Sequence, residues 1–380
     1  MKSLALTNVA DALEHGYGRL HDPDDLYHSP RWLEIEQEIK VARPFHVLCM
    51  PQADRQAVAA GWGLMVDDSS IPWPFMRVDM VLSRLLGERQ IPRAADDEVT
   101  VRSLLPQAYL GALRGGTTRL QIDRSLSGPL ARRAIGEVLD GVETLAREVK
   151  IRSITWLYVP HDDALLRDVL RERGYAEFGP TLHASAYRVT GRTFDDYLSG
   201  FRQHRRARIR WERRKIASSD VELGVEALTP DLIEEMLPLE AQLFGKYGHE
   251  SYPADTMRRQ QRLVLSRFGR SIQVMTARAA GALRGYTAFI RMNHTLYSRD
   301  GGFDYAWQGR LPLYFELLFY SPIEFAMRSG IREINYSYGS EQTKASRGCD
   351  VARRVGYVKA LDPGADGDLR RLCAKLCYPA

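Results

Sequence analysis

Cysteine is scarce in this chain of 380 residues: Cys49, Cys349, Cys373 and Cys377 are the only four. None belongs to a CxxC pair or stands beside a histidine at zinc-like spacing, so neither a disulfide framework nor a metal site is expected. Long apolar runs are missing too, with nothing near the roughly 18 residues of a membrane span. The opening MKSLALTNVADALEHGYG gains acids where a secretory signal needs an apolar stretch, so a soluble cytoplasmic protein is expected. The histidines show no Ser/His/Asp order: His161 follows Val159-Pro160, and His249 sits in Gly248-His249-Glu250. A covalent nucleophile or a zinc mechanism is therefore not expected. Lysine is rare as well, supplying eight of 53 basic residues. The remainder are arginines, the side chain best suited to bidentate contact with phosphate or carboxylate.

The residues present describe a globular chain. Hydrophobic residues make up 44% and charged ones 27%, enough to build a core, and the length exceeds one ordinary domain of about 100–200 residues. The net charge is +5, but its distribution is uneven. The segment RQHRRARIRWERRK (202–215) carries eight basic residues against one acid, Glu212.

Local signals set the order of elements. Ser29 caps a helix that has Pro30 at its first position, and the short apolar runs 45–49 and 58–65 suit strands. Dense Pro and Asp punctuation from 71 to 106 predicts loops and short pieces. A clearer α/β pattern follows: strand 117–122, amphipathic helix 129–150, strand 154–159, helix 162–173 stopped by Gly174, and extended chain over 175–189. The same order recurs after the basic segment, which is helical by propensity. It consists of extended chain 221–228, a helix capped by Thr229 with Pro230, a helix over 254–268, and strands 272–277, 282–292 and 295–299 joined at Ala280-Gly281 and Asn293-His294. A long helix over 312–328 ends by Gly330, and a strand 331–338 closes the series. The pattern predicts two halves of related architecture, 1–190 and 191–380.

Several residues carry chemistry at this level. Lys344 lies in a loop leaving a predicted strand end, where α/β sheets place ligand groups; the other reading is a surface lysine. Glu316 sits in the apolar run Leu313-Tyr314-Phe315-Glu316-Leu317-Leu318-Phe319-Tyr320 and needs a partner or a purpose. It either pairs with an arginine such as Arg299 or orients and deprotonates an attacking amine, and Glu324 shares its helix face. Arg299 and Asp300 end a strand and are assigned to the same pocket. Tyr336 and Tyr338 alternate with Ser337 and so share a face, with core packing as the default and substrate contact as the alternative. The basic helix also has two readings. One is a phosphate-tracking surface of Arg202, Arg205, Arg206, Arg208, Arg210, Arg213, Arg214 and Lys215, with Trp211 able to stack. The other is a solvated helix with Ile209 and Trp211 as its buried edge.

Taken together, "SPRWLEIE" (29–36), "ITWLYVPHDDALLRDVLRERGYAEFG" (154–179), "FRQHRRARIRWERRKI" (201–216), "LYSRDGGFD" (296–304) and "LYFELLFYSPIEFAMRSGIREINYSYGSEQTKASRG" (313–348) resemble the Fem-type branch of the GNAT superfamily. That resemblance, to the peptidoglycan biosynthesis or recognition group, implies tandem GNAT domains of mixed α/β class, each a twisted sheet flanked by helices. It further implies acyl transfer to an amine, with aminoacyl-tRNA as co-substrate, no bound cofactor and a small peptide-like acceptor. Lys344 then resembles the lysine that faces the transferred ester, Glu316 joins it as catalytic, and Ser340, Glu341 and Arg347 join Arg299, Asp300, Tyr336 and Tyr338 in binding substrate. Two alternatives stand beside this reading: an acyl-CoA-dependent N-acyltransferase, and a non-catalytic binder of peptide or glycan. A CoA site of the usual kind needs a Gly-rich turn opening a helix. The nearest stretches, 124–129 and 307–312, each hold one glycine and end on a proline that lacks an N–H.

Overall fold

A computed structural model describes residues 1–39, 42–52, 56–67, 74–92, 94–112, 116–246 and 253–377; His249 lies outside them. The chain divides into two compact units, Met1–Ala184 with Ala352–Ala380, and Ser185–Val351.

In the first unit, strands β1 (Lys2–Leu6), β2 (Arg43–Met50), β3 (Ala59–Val66) and β4 (Gln107–Leu110) form an antiparallel run, with the short β5 (Gln121–Ile122) also on β3. Helix Gly128–Glu148 then crosses over to β6 (Ser153–Pro160), which lies parallel to β4. This helix buries Ala131, Ala134, Ile135, Val138, Leu139, Val142 and Ala146, the three- and four-residue spacing that packs one helical face onto a sheet. Phe45, Val47, Ile154 and Trp156 meet that face from the strands. After helix Ala164–Glu172 the chain enters β7 (Ala176–Arg188), and the boundary between the units falls inside this strand.

The second unit repeats the order. Strands β8 (Glu222–Ala227), β9 (Ile272–Ala279), β10 (Ala282–Met292) and β11 (Thr295–Phe303) are antiparallel; helix Leu313–Ser329 then crosses to β12 (Glu333–Tyr338), parallel to β11. Thr229 caps helix Pro230–Lys246 as expected, accepting from Leu232 N at 3.1 Å. Gly302 lets β11 press against this helix, since a Cβ there would lie 2.6 Å from the Leu239 carbonyl carbon. The tight turns between β9, β10 and β11 place Ala280, Gly281 and Asn293 at positive φ.

Strand β13 (Asp350–Ala360), from near the end of the sequence, lies antiparallel to β6 of the first unit. The expected halves 1–190 and 191–380 therefore need correction. The first boundary falls at 184, and residues 352–380 complete the first unit. The local patterns identify a terminal strand without stating which sheet edge it pairs with. A second correction concerns 71–106, expected as loops and short pieces, where among the described residues helices Val78–Glu88 and Ala95–Arg102 form. Their acids stand in first turns: Asp97 accepts from Ala94 N at 3.0 Å with Asp96 and Glu98 beside it, and Asp79 pairs with Arg77 at 2.7 Å.

Candidate active site

In both units the parallel pair separates soon after it forms. Strands β4 and β6 pair over 107–109 and 153–155, and β11 and β12 pair over 295–297 and 333–335; β6, β11 and β12 then run on beyond the paired stretch. In the first unit Thr118 bridges the opening, its N–H donating to Tyr158 O at 2.8 Å and its hydroxyl to Leu110 O at 3.0 Å. In the second unit the pairing ends at Tyr297 and Asn335, with Arg299 two residues further along β11 and Lys344 bonded to carbonyls at the end of β12. Arg299 is the extra residue of a bulge, since Ala288 pairs with Asp300 and Phe289 with Ser298. It donates to Asp300 at 3.3 Å, and Asp300 also accepts from Gln261 at 3.2 Å.

Lys344 sits in the short helix Glu341–Ala345 and is 5% exposed. Its ammonium donates to Tyr336 O at 2.6 Å and to Tyr338 O at 2.7 Å. No carboxylate among the described residues lies within ion-pair distance, and burial lowers its pKa to about 8. A buried lysine held only by neutral carbonyls is a weakly compensated cation. The chain reaches this point through Ser337, Gly339 and Ser340, all at positive φ, so the β alternation assumed for Tyr336 and Tyr338 is broken. Tyr336 is buried, while Tyr338, Ser337 and Glu341 are half-buried and Ser340 is exposed.

Glu316 is 1% exposed, and its partner is Arg213 rather than Arg299. Arg213 Nε donates to Glu316 at 3.3 Å while its two terminal amines grip Glu324 at 2.9 and 3.0 Å, and Ser321 donates to Glu316 at 3.0 Å. One guanidinium thus serves two carboxylates, and burial, opposed by Arg213, holds the Glu316 pKa above the usual range. The helix widens to a π segment over Glu316–Tyr320, just before Pro322. A proline lacks the N–H that would close the preceding turn, and such re-registered turns are frequent at functional sites. The Ser-Pro pair inside the predicted helix was the available signal for this feature.

Glu316 opens onto a groove of about 480 Å³ walled by Phe194, Leu198, Ile216, Val221 and Leu223, with Arg210 and Arg214 also lining it. Sequence reasoning found the acid but not these walls, which gather from three separate segments. Neither Arg299 nor Asp300 is part of that lining.

The basic helix spans Gln203–Ala217. Its buried face is Ile209, Glu212 and Ile216, whereas Trp211, expected at the buried edge, is 42% exposed. Glu212 is 1% exposed and accepts from Arg208 at 2.8 Å, from Arg347 at 3.4 Å and from the Tyr320 hydroxyl. Arg347, expected to contact substrate, is buried in this network and also donates to Tyr320 at 3.0 Å. Arg213 likewise leaves the phosphate-tracking set for its two acids. Arg206 donates to Phe201 O at 2.8 Å, Lys215 to Arg310 O at 2.7 Å, and Arg210 lies 3.6 Å from Asp195. Arg202, Arg205 and Arg214 have no carboxylate within ion-pair distance among the described residues. Trp211 is flanked by Arg208 at 4.4 Å and Lys215 at 5.4 Å, an arrangement of cations about an aromatic face.

Both crossover helices start at the prolines noted above, Pro129 in the first turn of Gly128–Glu148 and Pro312 capping Leu313–Phe315. No group of side chains among the described residues is placed to hold a metal ion, and no described helix is long and apolar enough to cross a membrane.

Residues 119–375 match the FemAB-like family, described as peptidoglycan biosynthesis/recognition. No curated protein matches the sequence. Among solved structures, FemX is similar over 98% of this chain and 99% of its own, with a TM-score of 0.62 and 10% identity. L-PGS from Bacillus licheniformis is similar over 96% of each chain, with a TM-score of 0.53 and 9% identity. A tandem GNAT protein from the clavulanic acid biosynthesis pathway is similar over 95% of this chain and 99% of its own, with a TM-score of 0.51 and 12% identity. At these identities the likeness is one of fold, and the fold is that of tandem GNAT domains.

Proposed function

The chain belongs to the FemAB-like family of peptidoglycan biosynthesis and recognition proteins, and from that premise we propose that it forms a peptide bond, moving an aminoacyl group from aminoacyl-tRNA to the amine of a small peptide-like acceptor. The observation that carries this reading is the weakly compensated ammonium of Lys344 at the end of β12, beside the opening between parallel strands. The neutral amine attacks the ester carbonyl and a C–N bond forms. The oxyanion collapses, the bond to the ribose oxygen breaks, and that oxygen takes up the proton the amine gives up. The step needs alignment, an uncharged nucleophile and an oxyanion partner. Lys344 supplies the positive charge, whereas Glu316 is held by Arg213 and lines a groove that Lys344, Arg299 and Asp300 do not share. Arg299, Asp300, Tyr338, Ser340 and Glu341 edge the acceptor's approach. Arg202, Arg205 and Arg214, with Trp211 between Arg208 and Lys215, provide the surface for the tRNA backbone.

The acyl-CoA reading loses ground at Pro129 and Pro312, each of which removes a backbone donor where a pyrophosphate would be held. A non-catalytic binder would need no desolvated cation at this position.

A pH profile tests the role given to Lys344. Transfer from charged tRNA to a peptidoglycan-precursor peptide is expected to fall as pH rises through about 8, where Lys344 loses its charge. Lys344→Arg, which stays charged, is expected to move that fall upward, and Lys344→Ala to lose about 10²-fold in turnover with the fold intact. Superimposable descending limbs for the wild type and the arginine variant would remove Lys344 from the chemistry.

A further inference from the structure

The groove beside Glu316 takes no part in the proposed chemistry, and one of its walls is the edge of a sheet. Strand β8 pairs with β9, and no strand lies on its other side among the described residues. Opposite residues of an antiparallel pair share a face, so Leu223 lies with Ala277 and Val225 with Met275. Ala277 and Met275 are fully buried in the core that the basic helix joins through Ile209 and Ile216. Leu223 and Val225, one strand further out on that face, are 41% and 44% exposed. The helical cover therefore stops short of the edge strand, and the groove lies where it stops, with Val221, Leu223 and Ile216 among its walls.

Exposed edges are commonly guarded by proline, lysine or a bulge. Residues Glu222–Ala227 contain neither proline nor lysine, and their register to β9 is unbroken. The two glutamates of β8 lie on the opposite face, where Glu226 is held by Arg278 at 2.9 Å. On the groove side the unspent charge is positive. Arg210 and Arg214 line it; Arg214 has no carboxylate within ion-pair distance among the described residues, and Arg210 has Asp195 at 3.6 Å, 86% exposed, a pairing that contributes little. The geometry points to a strand-addition site, in which β8 takes up an extended peptide with apolar residues at alternate positions facing the groove and an acidic residue meeting Arg210 and Arg214. Main-chain hydrogen bonds hold such a peptide and alternate side chains select it. A second copy of β8 is a poorer occupant. Its apolar face, Val221, Leu223, Val225 and Ala227, offers no acid to the arginines, and antiparallel pairing would gather the glutamates of both strands on the other face. The site shares Arg214 with the surface given to tRNA but needs neither tRNA nor Lys344, so its test is made without either.

The test is fluorescence anisotropy of a labelled nonapeptide, alternating valine and threonine with glutamate at both ends, titrated with the full chain. Wild type is expected to bind it saturably. Leu223→Asp, at a side chain already partly exposed, is expected to weaken binding at least about tenfold, and the paired change Arg210→Gln and Arg214→Gln about fivefold. Val99→Ser, an exposed apolar site in the first unit, is expected to stay within about twofold of wild type. Two controls need no variant protein. The same peptide with proline at its centre, which lacks an N–H for the ladder, is expected to bind at least about tenfold more weakly, and hydrogen exchange over 222–227 is expected to slow only with the unbroken peptide. Absence of saturable binding, equal binding of the proline peptide, displacement by decanoate as effective as by unlabelled peptide, or unchanged affinity in Leu223→Asp would each overturn the assignment. Dimerisation of the wild type that Leu223→Asp abolishes would also overturn it, giving the edge to a second copy.

Discussion

Glu212→Ala is expected to destabilise the second unit by about 3–5 kcal/mol, the cost of removing one partner from a buried ion pair. Glu212 is 1% exposed and accepts from Arg208, Arg347 and Tyr320. Alanine leaves the buried Arg347 guanidinium with the Tyr320 hydroxyl and the Phe315 ring at 4.1 Å, and with no counter-charge. The loss extends to packing, because Tyr197 donates to Arg347 O at 3.0 Å and its ring packs tilted against Phe194 and edge-to-face against Phe201. Arg208→Ala, at a side chain 55% exposed, should cost under about 1 kcal/mol. Urea unfolding of the three proteins measures both differences. A Glu212→Ala variant as stable as Arg208→Ala would show that the network is not buried as described.

Changing Arg202, Arg205 and Arg214 together to alanine is expected to reduce the slope of log affinity for tRNA against log salt by about 2–3, close to one per lost phosphate contact. Arg208, Arg210 and Arg213 pair with acids and Arg206 and Lys215 bond to backbone carbonyls, whereas these three have neither kind of partner among the described residues and are the ones chosen to release counter-ions on binding. Arg213 and Arg347 serve as a contrast. They are equally basic in sequence, but one is held by Glu316 and Glu324 and the other by Glu212. Filter binding at several salt concentrations reads the slope. An unchanged slope would return the basic helix to a structural role.

The same contrast shows what the sequence makes legible. Helical periodicity announced Gly128–Glu148, and capping residues announced Pro230–Lys246, because those signals are local. Ala254–Phe268 and the three strands that follow were legible for the same reason. Helices Val78–Glu88 and Ala95–Arg102 were hidden because acids in the first turn of a helix read as loop punctuation when prolines stand nearby. The return of β13 to the first unit was hidden because strand pairing is a long-range choice. At the site, the importance of Glu316 followed from one acid in an apolar run. Its partner did not, since Arg213 lies 103 residues away in sequence and nothing local separates a paired arginine from a free one. Trp211 was misplaced for a related reason: on a helix this rich in arginine, the acid at 212 takes the inward position by pairing with Arg347 and Tyr320.

The donor is the centre of the account, and direct competition tests it. The protein is titrated with charged tRNA, uncharged tRNA and acetyl-CoA at two salt concentrations. The account predicts salt-dependent binding of tRNA that favours the charged form, and no saturable binding of acetyl-CoA. Saturable binding of acetyl-CoA, with tRNA held only at the lower salt and without regard to charging, would contradict it.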